Sequence, residues 1–121
     1  MDARRRNAVS SVNIMEWRIV VAKRIYKYAV PGKITGRVKR WLQPNYQYGK
    51  LMIWAELDDN AEEAEWTIVP VGTGWELEGS DATILDESVY CGTVLEDDGT
   101  FVWHIYAVKT SVIRNQKSDL G

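Results

Sequence analysis

Val89-Tyr90-Cys91-Gly92-Thr93-Val94-Leu95 and Thr100-Phe101-Val102-Trp103-His104-Ile105-Tyr106-Ala107-Val108 flank the short acidic stretch Glu96-Asp97-Asp98-Gly99. Both flanks are dense in β-branched and aromatic residues, and the stretch between them ends in a glycine able to reverse the chain. Together they predict a β-hairpin. Working outward, Leu51-Met52-Ile53-Trp54-Ala55-Glu56-Leu57 is apolar on both alternating faces, which predicts a central strand covered on two sides. Trp66 to Val71 predicts another strand, broken by Gly72-Thr73-Gly74. Trp17 to Val30 reads as one long or two short strands stopped by Pro31-Gly32. Ile34 to Leu42 alternates apolar with charged residues and runs into the turn-forming Pro44 to Lys50, which predicts a strand and a hairpin. Between Glu76 and Ser88 the chain is polar, and Ser80-Asp81 is placed to cap a brief helix through Leu85. The sum is an all-β fold: a single small antiparallel sandwich or open barrel of six to seven strands, with at most one short helix. Residues 15–109 form this β-domain, between a flexible basic arm at 1–14 and a polar tail at 110–121.

Composition bounds the chemistry. The 121 residues suffice for one core. Six Trp and six Tyr accompany a single Phe, a choice that favours half-wet surfaces over a purely dry interior. One cysteine, Cys91, excludes an intramolecular disulfide and a cysteine-based zinc site. No apolar run approaches the roughly 20 residues that span a bilayer, and the N-terminus lacks the apolar core of a signal peptide. The expected setting is therefore the cytoplasm, with no membrane contact. The net charge of -2 conceals a division. Residues 1–50 carry twelve Lys and Arg against Asp2 and Glu16, whereas residues 51–121 carry three against fifteen Asp and Glu. Such asymmetry marks either oppositely charged neighbours meeting across strands or a charged binding surface.

Ile25-Tyr26-Lys27-Tyr28, Leu51 to Asp58, Val71-Gly72-Thr73-Gly74, Tyr90-Cys91-Gly92-Thr93 and Phe101 to Tyr106 are similar in order and spacing to a family of short, functionally uncharacterised β-rich proteins of bacteria and tailed phages. The resemblance covers Arg24 to Ala107. It implies a phage-type accessory β-domain and carries no activity with it. The chain departs from the family in a longer, more acidic insertion between Gly74 and Tyr90. It also has Trp75 where the family often has histidine.

Candidate residues fall into two groups. A nucleotide-binding face would use Lys27, Arg37 and Arg40 to attract phosphate, Trp41 and Trp75 to stack on a base, and Thr73 and His104 as polar contacts. A partner-binding acidic surface would use Asp58, Asp59, Glu62, Glu63, Glu65, Glu96, Asp97 and Asp98 against a basic protein. Cys91 and His104 share the terminal hairpin, but nothing around them matches a cysteine-hydrolase signature, and no catalytic set is assigned. Gly72-Thr73-Gly74 lacks a P-loop lysine, so a tight turn is favoured over an anion cradle. The acidic run lacks calcium-loop spacing, and a lone histidine makes no zinc site, so no metal and no cofactor are expected.

The expectation is thus a non-enzymatic phage-type binding protein of the host cytoplasm, countering antiviral defence by blocking a defence protein complex or sequestering its nucleotide signal. The alternatives are a small nucleotide- or phosphodiester-cleaving enzyme and a minor virion or assembly component. Exposed strand edges leave room for a homo-oligomer.

Overall fold

The doubly apolar run at 51–57 becomes β5 (Lys50–Asp58), the centre of the first of two antiparallel sheets in the computed structural model, which describes residues 22–96 and 99–118. β5 pairs on one side with β1 (Lys23–Ala29). On its other side it pairs with β3 (Val38–Trp41) and β4 (Asn45–Gln47). The second sheet has the order β2 (Gly32–Gly36), β6 (Ala64–Gly72), β8 (Val102–Lys109), β7 (Val89–Leu95). Alternation turns Ile53 and Ala55 of the first sheet and Ile68, Ile105 and Ala107 of the second inward, and all are at most 1% exposed. They join Val30 and Val94 in one core between the sheets, at the boundary of which Trp41, Trp66 and Trp103 pack. No strand pairing closes the two sheets into a barrel among the described residues.

The class is the all-β one expected, with eight strands and two short helices among the described residues. Three details differ from the reading of the sequence. The alternating stretch from Ile34 to Leu42 is two strands rather than one. The chain leaves the second sheet at Gly36 and enters the first at Val38, with the Arg37 carbonyl accepting from the Asp58 N–H at 2.9 Å at the crossing. Next, α1 (Ser80–Asp86) forms where expected but without the side-chain cap: Gly79 stands at its N-terminus, and Asp81 instead pairs with Lys117 at 2.8 Å. Finally, residues read as a polar tail form α2 (Thr110–Ser118). Thr110 is buried and its hydroxyl bonds that of Thr67 at 2.7 Å, tying the helix to β6. The basic arm at 1–14 lies outside the described residues.

β7 and β8 form the predicted hairpin, with one irregularity. The register shifts between Tyr90 and Gly92, so Cys91 is an extra residue in the manner of a β-bulge. Gly92 then meets the Pro44 ring so closely that a Cβ would lie 2.6 Å from Cδ, and only glycine fits.

Candidate functional site

The chain turns sharply where β6 ends. Trp75 N–H donates to the Gly72 carbonyl at 3.2 Å, and Gly74 takes a φ of 88°, a conformation that glycine adopts without strain. The turn folds the Trp75 indole back over Gly72, where a Cβ would come within 2.6 Å of Nε1. Register pairs Gly72 with Trp103 of β8, so Trp75 arrives edge-on at Trp103, with centroids 5.6 Å apart and planes at 89°. Phe101, two residues before Trp103, stacks with it at 6.3 Å and 22°. The Trp103 indole N–H donates to Glu96 at 2.8 Å, which orients the ring. Trp75 and Phe101 remain 58% and 57% exposed. Between them opens a cleft of about 480 Å³, lined also by Gly72, Thr73, Val102 and Thr100, with neither lysine nor arginine in its wall among the described residues. Trp75 separates this cleft from a second, apolar pocket of about 230 Å³ beneath α1, walled by Val69, Val71, Ile84 and Leu85.

On the opposite face of β8 lies a polar chain. His104 Nε2 bonds the Thr73 hydroxyl at 2.7 Å and Nδ1 bonds the Thr93 hydroxyl at 3.1 Å. Thr93 in turn bonds the Tyr90 hydroxyl, and the Tyr90 ring leans on Tyr106 at 5.4 Å. The bulge at Cys91 makes this possible, since it brings Tyr90 and Thr93, three residues apart, to one face. Both imidazole nitrogens are therefore occupied by threonines. Cys91 packs against the core, and burial pushes its thiol up to about 12, partly offset by a hydrogen bond from the Ala107 backbone. The thiol–imidazole pair considered from sequence is not assembled. The Gly72-Thr73-Gly74 segment is a tight turn, with the Thr73 N–H directed to the Val102 carbonyl at 3.2 Å.

The candidate nucleotide residues divide. Thr73, Trp75 and His104 gather at one end of the second sheet. Lys27 lies on the outer face of the first sheet, bonded to Gln47 at 3.1 Å, and Arg40 on the same face reaches Glu56 at 2.9 Å. Arg37 bonds the Ala61 carbonyl at 2.8 Å, just before β6, while Thr73 lies just after it. Nine residues of strand at about 3.3 Å each put roughly 30 Å between them. Trp41 packs against the core and meets Trp66 edge-to-face at 5.6 Å, and with Arg40 it lines a separate cleft completed by Val38, Lys39, Trp66 and Val89. The indole N–H groups of both rings are buried without an acceptor among the described residues, so ring packing holds the pair.

Three of the acidic candidates, Asp58, Asp59 and Glu63, are engaged with the basic half of the chain. Asp58 accepts from Lys23 at 3.0 Å and from the Asn60 N–H at 2.8 Å, and the Asn60 N–H followed by Lys23 holds its carboxyl below the ordinary range. Asp59 meets Arg24 at 3.3 Å, Glu62 meets Lys109 at 2.9 Å, and Glu63 lies 3.9 Å from Arg37. Glu65 is exposed opposite Thr35. Glu96 belongs to the aromatic cleft, whereas Asp97 and Asp98 lie outside the described residues. No three His, Cys, Asp or Glu side chains converge as a metal site among the described residues, and no helix there is long and apolar enough to cross a membrane.

The chain matches, over residues 21–116, the family described as Domain of unknown function (DUF7352). This protein belongs to that family. No curated protein and no solved structure matches it. The match spans both sheets of the DUF7352 domain and runs into α2, and it agrees with the resemblance to an uncharacterised family. Sequence reasoning found Thr73, Trp75 and His104 but passed over Phe101, Trp103, Thr93 and Tyr90. The available signal was the spacing of Phe101 and Trp103, two residues apart on a strand and hence on one face, opposite a glycine turn that carries a third aromatic.

Proposed function

We propose that the DUF7352 domain of this chain is a non-enzymatic binding module that acts by occupancy, engaging a protein partner through the aromatic cleft of Trp75, Phe101 and Trp103. The observation that carries this reading is the pair of rings left more than half exposed on either side of Trp103. Rigid, half-exposed aromatic rings are the anchors of protein interfaces, because they bury large area at low conformational cost. Among the described residues the cleft wall has no cation and Glu96 stands at its edge, which favours a partner that brings an apolar or basic side chain. Nucleotide capture is the weaker version: the cations meant for phosphate are on other surfaces and already paired. In the setting that the family resemblance suggests, the partner is a host defence complex and the protein is a phage-type inhibitor acting in the host cytoplasm.

The test is affinity capture from host lysate with wild-type protein and with Trp75→Ala and Phe101→Ala. A stoichiometric partner retained by wild type should be lost from both variants, each ring contributing about 2 kcal/mol, or roughly 30-fold in affinity. Equal capture by all three proteins would remove the cleft from the interface. Stabilisation by a nucleotide, about 2.7 kcal/mol at a hundredfold excess over Kd, would instead support sequestration.

A further inference from the structure

Trp75 meets Trp103 edge-on, with the ring planes at 89°. A ring that arrives edge-on keeps its own faces unpacked, so the two tryptophans form a corner with a π face on each wall. Phe101 adds a third ring, nearly parallel to Trp103 and as exposed as Trp75. Each of these faces is the negative side of a ring quadrupole. Glu96 accepts the Trp103 indole N–H at 2.8 Å. An anion bonded there polarises the indole towards its faces, so the charge of Glu96 is felt in the cleft without filling it. The chain around the cleft is anionic as well. From Leu51 to Val108 it carries no Lys or Arg. Between Gly72 and Lys109 the described acids are Glu76, Glu78, Asp81, Asp86, Glu87 and Glu96, of which Asp81 alone is paired with a cation among the described residues. The acids that answer the basic half of the chain, on β5 and in the loop after it, are a different set.

We propose that the cleft of Trp75, Phe101 and Trp103 receives an arginine side chain from a basic segment of the partner, with the guanidinium seated in the corner between the two tryptophans. The inference rests on the reading of this cleft as the binding surface and names what enters it. A cation over a ring face is drawn by the quadrupole, and the attraction grows as the site loses water. Arginine suits the corner better than lysine, because its planar guanidinium stacks on a ring face and is the more weakly hydrated cation. An apolar side chain would use the rings but gain nothing from the unpaired acids around them. A cation answers those acids over distances up to the Debye length, about 8 Å at physiological ionic strength.

The test is a titration of the full chain, followed by NMR through its indole N–H signals, with blocked tripeptides that carry arginine, citrulline or leucine between two glycines. Citrulline keeps the shape of arginine without its charge. The signal of Trp75 is identified by its loss in Trp75→Ala. The arginine peptide should shift the Trp75 and Trp103 signals saturably and bind at least about fivefold more tightly than the other two, with an affinity that falls as salt is added. Glu96→Gln leaves an acceptor for the Trp103 N–H but removes the charge, so it should weaken arginine binding about threefold and leave leucine binding unchanged. Arginine bound no more tightly than citrulline or leucine, or not bound at all, overturns the inference, and so does an arginine affinity that Glu96→Gln and salt leave unchanged. The cleft as a binding surface falls on a different result, capture of a partner that is indifferent to Trp75→Ala and Phe101→Ala.

Discussion

Asp58 and Thr110 are the buried polar side chains among the described residues, and Asp58 is the ionisable one. A carboxylate only 4% exposed is tolerable because the Asn60 N–H and the Lys23 ammonium both favour its charged form. The sign of the consequence follows from the depressed pKa. The stabilisation is complete above the unfolded value of about 3.9 and is lost as pH falls through the lower folded value. Glu62, held down by Lys109, contributes with the same sign. Asp58→Asn should therefore be less stable than wild type in urea unfolding at neutral pH, and the difference should shrink on acidification below about pH 4. A difference that persists at low pH would mean that Asp58 stabilises by shape rather than by charge. At this scale the sequence named Asp58 as a surface acid, because no periodicity reveals that a residue at a strand terminus faces a lysine 35 positions earlier.

At the scale of elements, α2 shows what a polar composition hides. Val112, Ile113 and Gln116 are its half-buried positions, a spacing that puts them on one helix face. Two apolar residues in nine give too faint a stripe to distinguish a helix from a frayed end, and tertiary contact decides the matter. Thr110 supplies that contact through Thr67. Thr110→Val keeps the shape but leaves the Thr67 hydroxyl without its partner, so it should cost about 1–3 kcal/mol. Chemical denaturation would measure the cost, and loss of helical signal alone, with no change in the global midpoint, would mean that α2 docks independently of the sheets. The strands were far more legible than the helix, since β5 and the β7–β8 hairpin declare themselves by residue type and turn chemistry. The passage from β2 to β3 was not legible, because alternation of period two reads the same whether a chain continues in one sheet or crosses to the other. For the same reason the candidate site was half legible: Trp75 and His104 stood out as single residues, but joining Trp75 to Phe101 and Trp103 requires the register that sets Gly72 opposite Trp103.

Over the whole molecule, the separation of charge along the chain resolves into contact between its halves. Lys23 and Arg24 on β1, Arg37 at the crossing and Arg40 on β3 meet Glu56, Asp58, Asp59 and Glu63 from β5 and the loop after it. Apart from the buried Asp58, the exposed pairs Arg24–Asp59 and Arg37–Glu63 are each worth at most about 1 kcal/mol, so they are poor candidates for what holds the folded state together. Their long-range field is another matter, because opposite charges of this size accelerate encounter between surfaces and the effect falls with ionic strength. The Tyr48-Gly49 turn joining β4 to β5 offers the place to separate the two effects, with Tyr48 fully out in solvent and both residues at positive φ. Chains ending at Tyr48 and beginning at Gly49 divide eleven of the fifteen Lys and Arg from fifteen of the seventeen Asp and Glu. Neither half holds a complete sheet, since β1, β3 and β4 need β5, and β2 needs β6. Mixed together, the halves should recover the circular dichroism of the intact protein at a rate that falls at least tenfold between low salt and physiological ionic strength, while the midpoint of the intact chain moves little over the same range. A recovery rate indifferent to salt would assign assembly to the apolar contacts of Ile53 with Ile68 and Ile105 alone, and would leave the charge division without a part in folding.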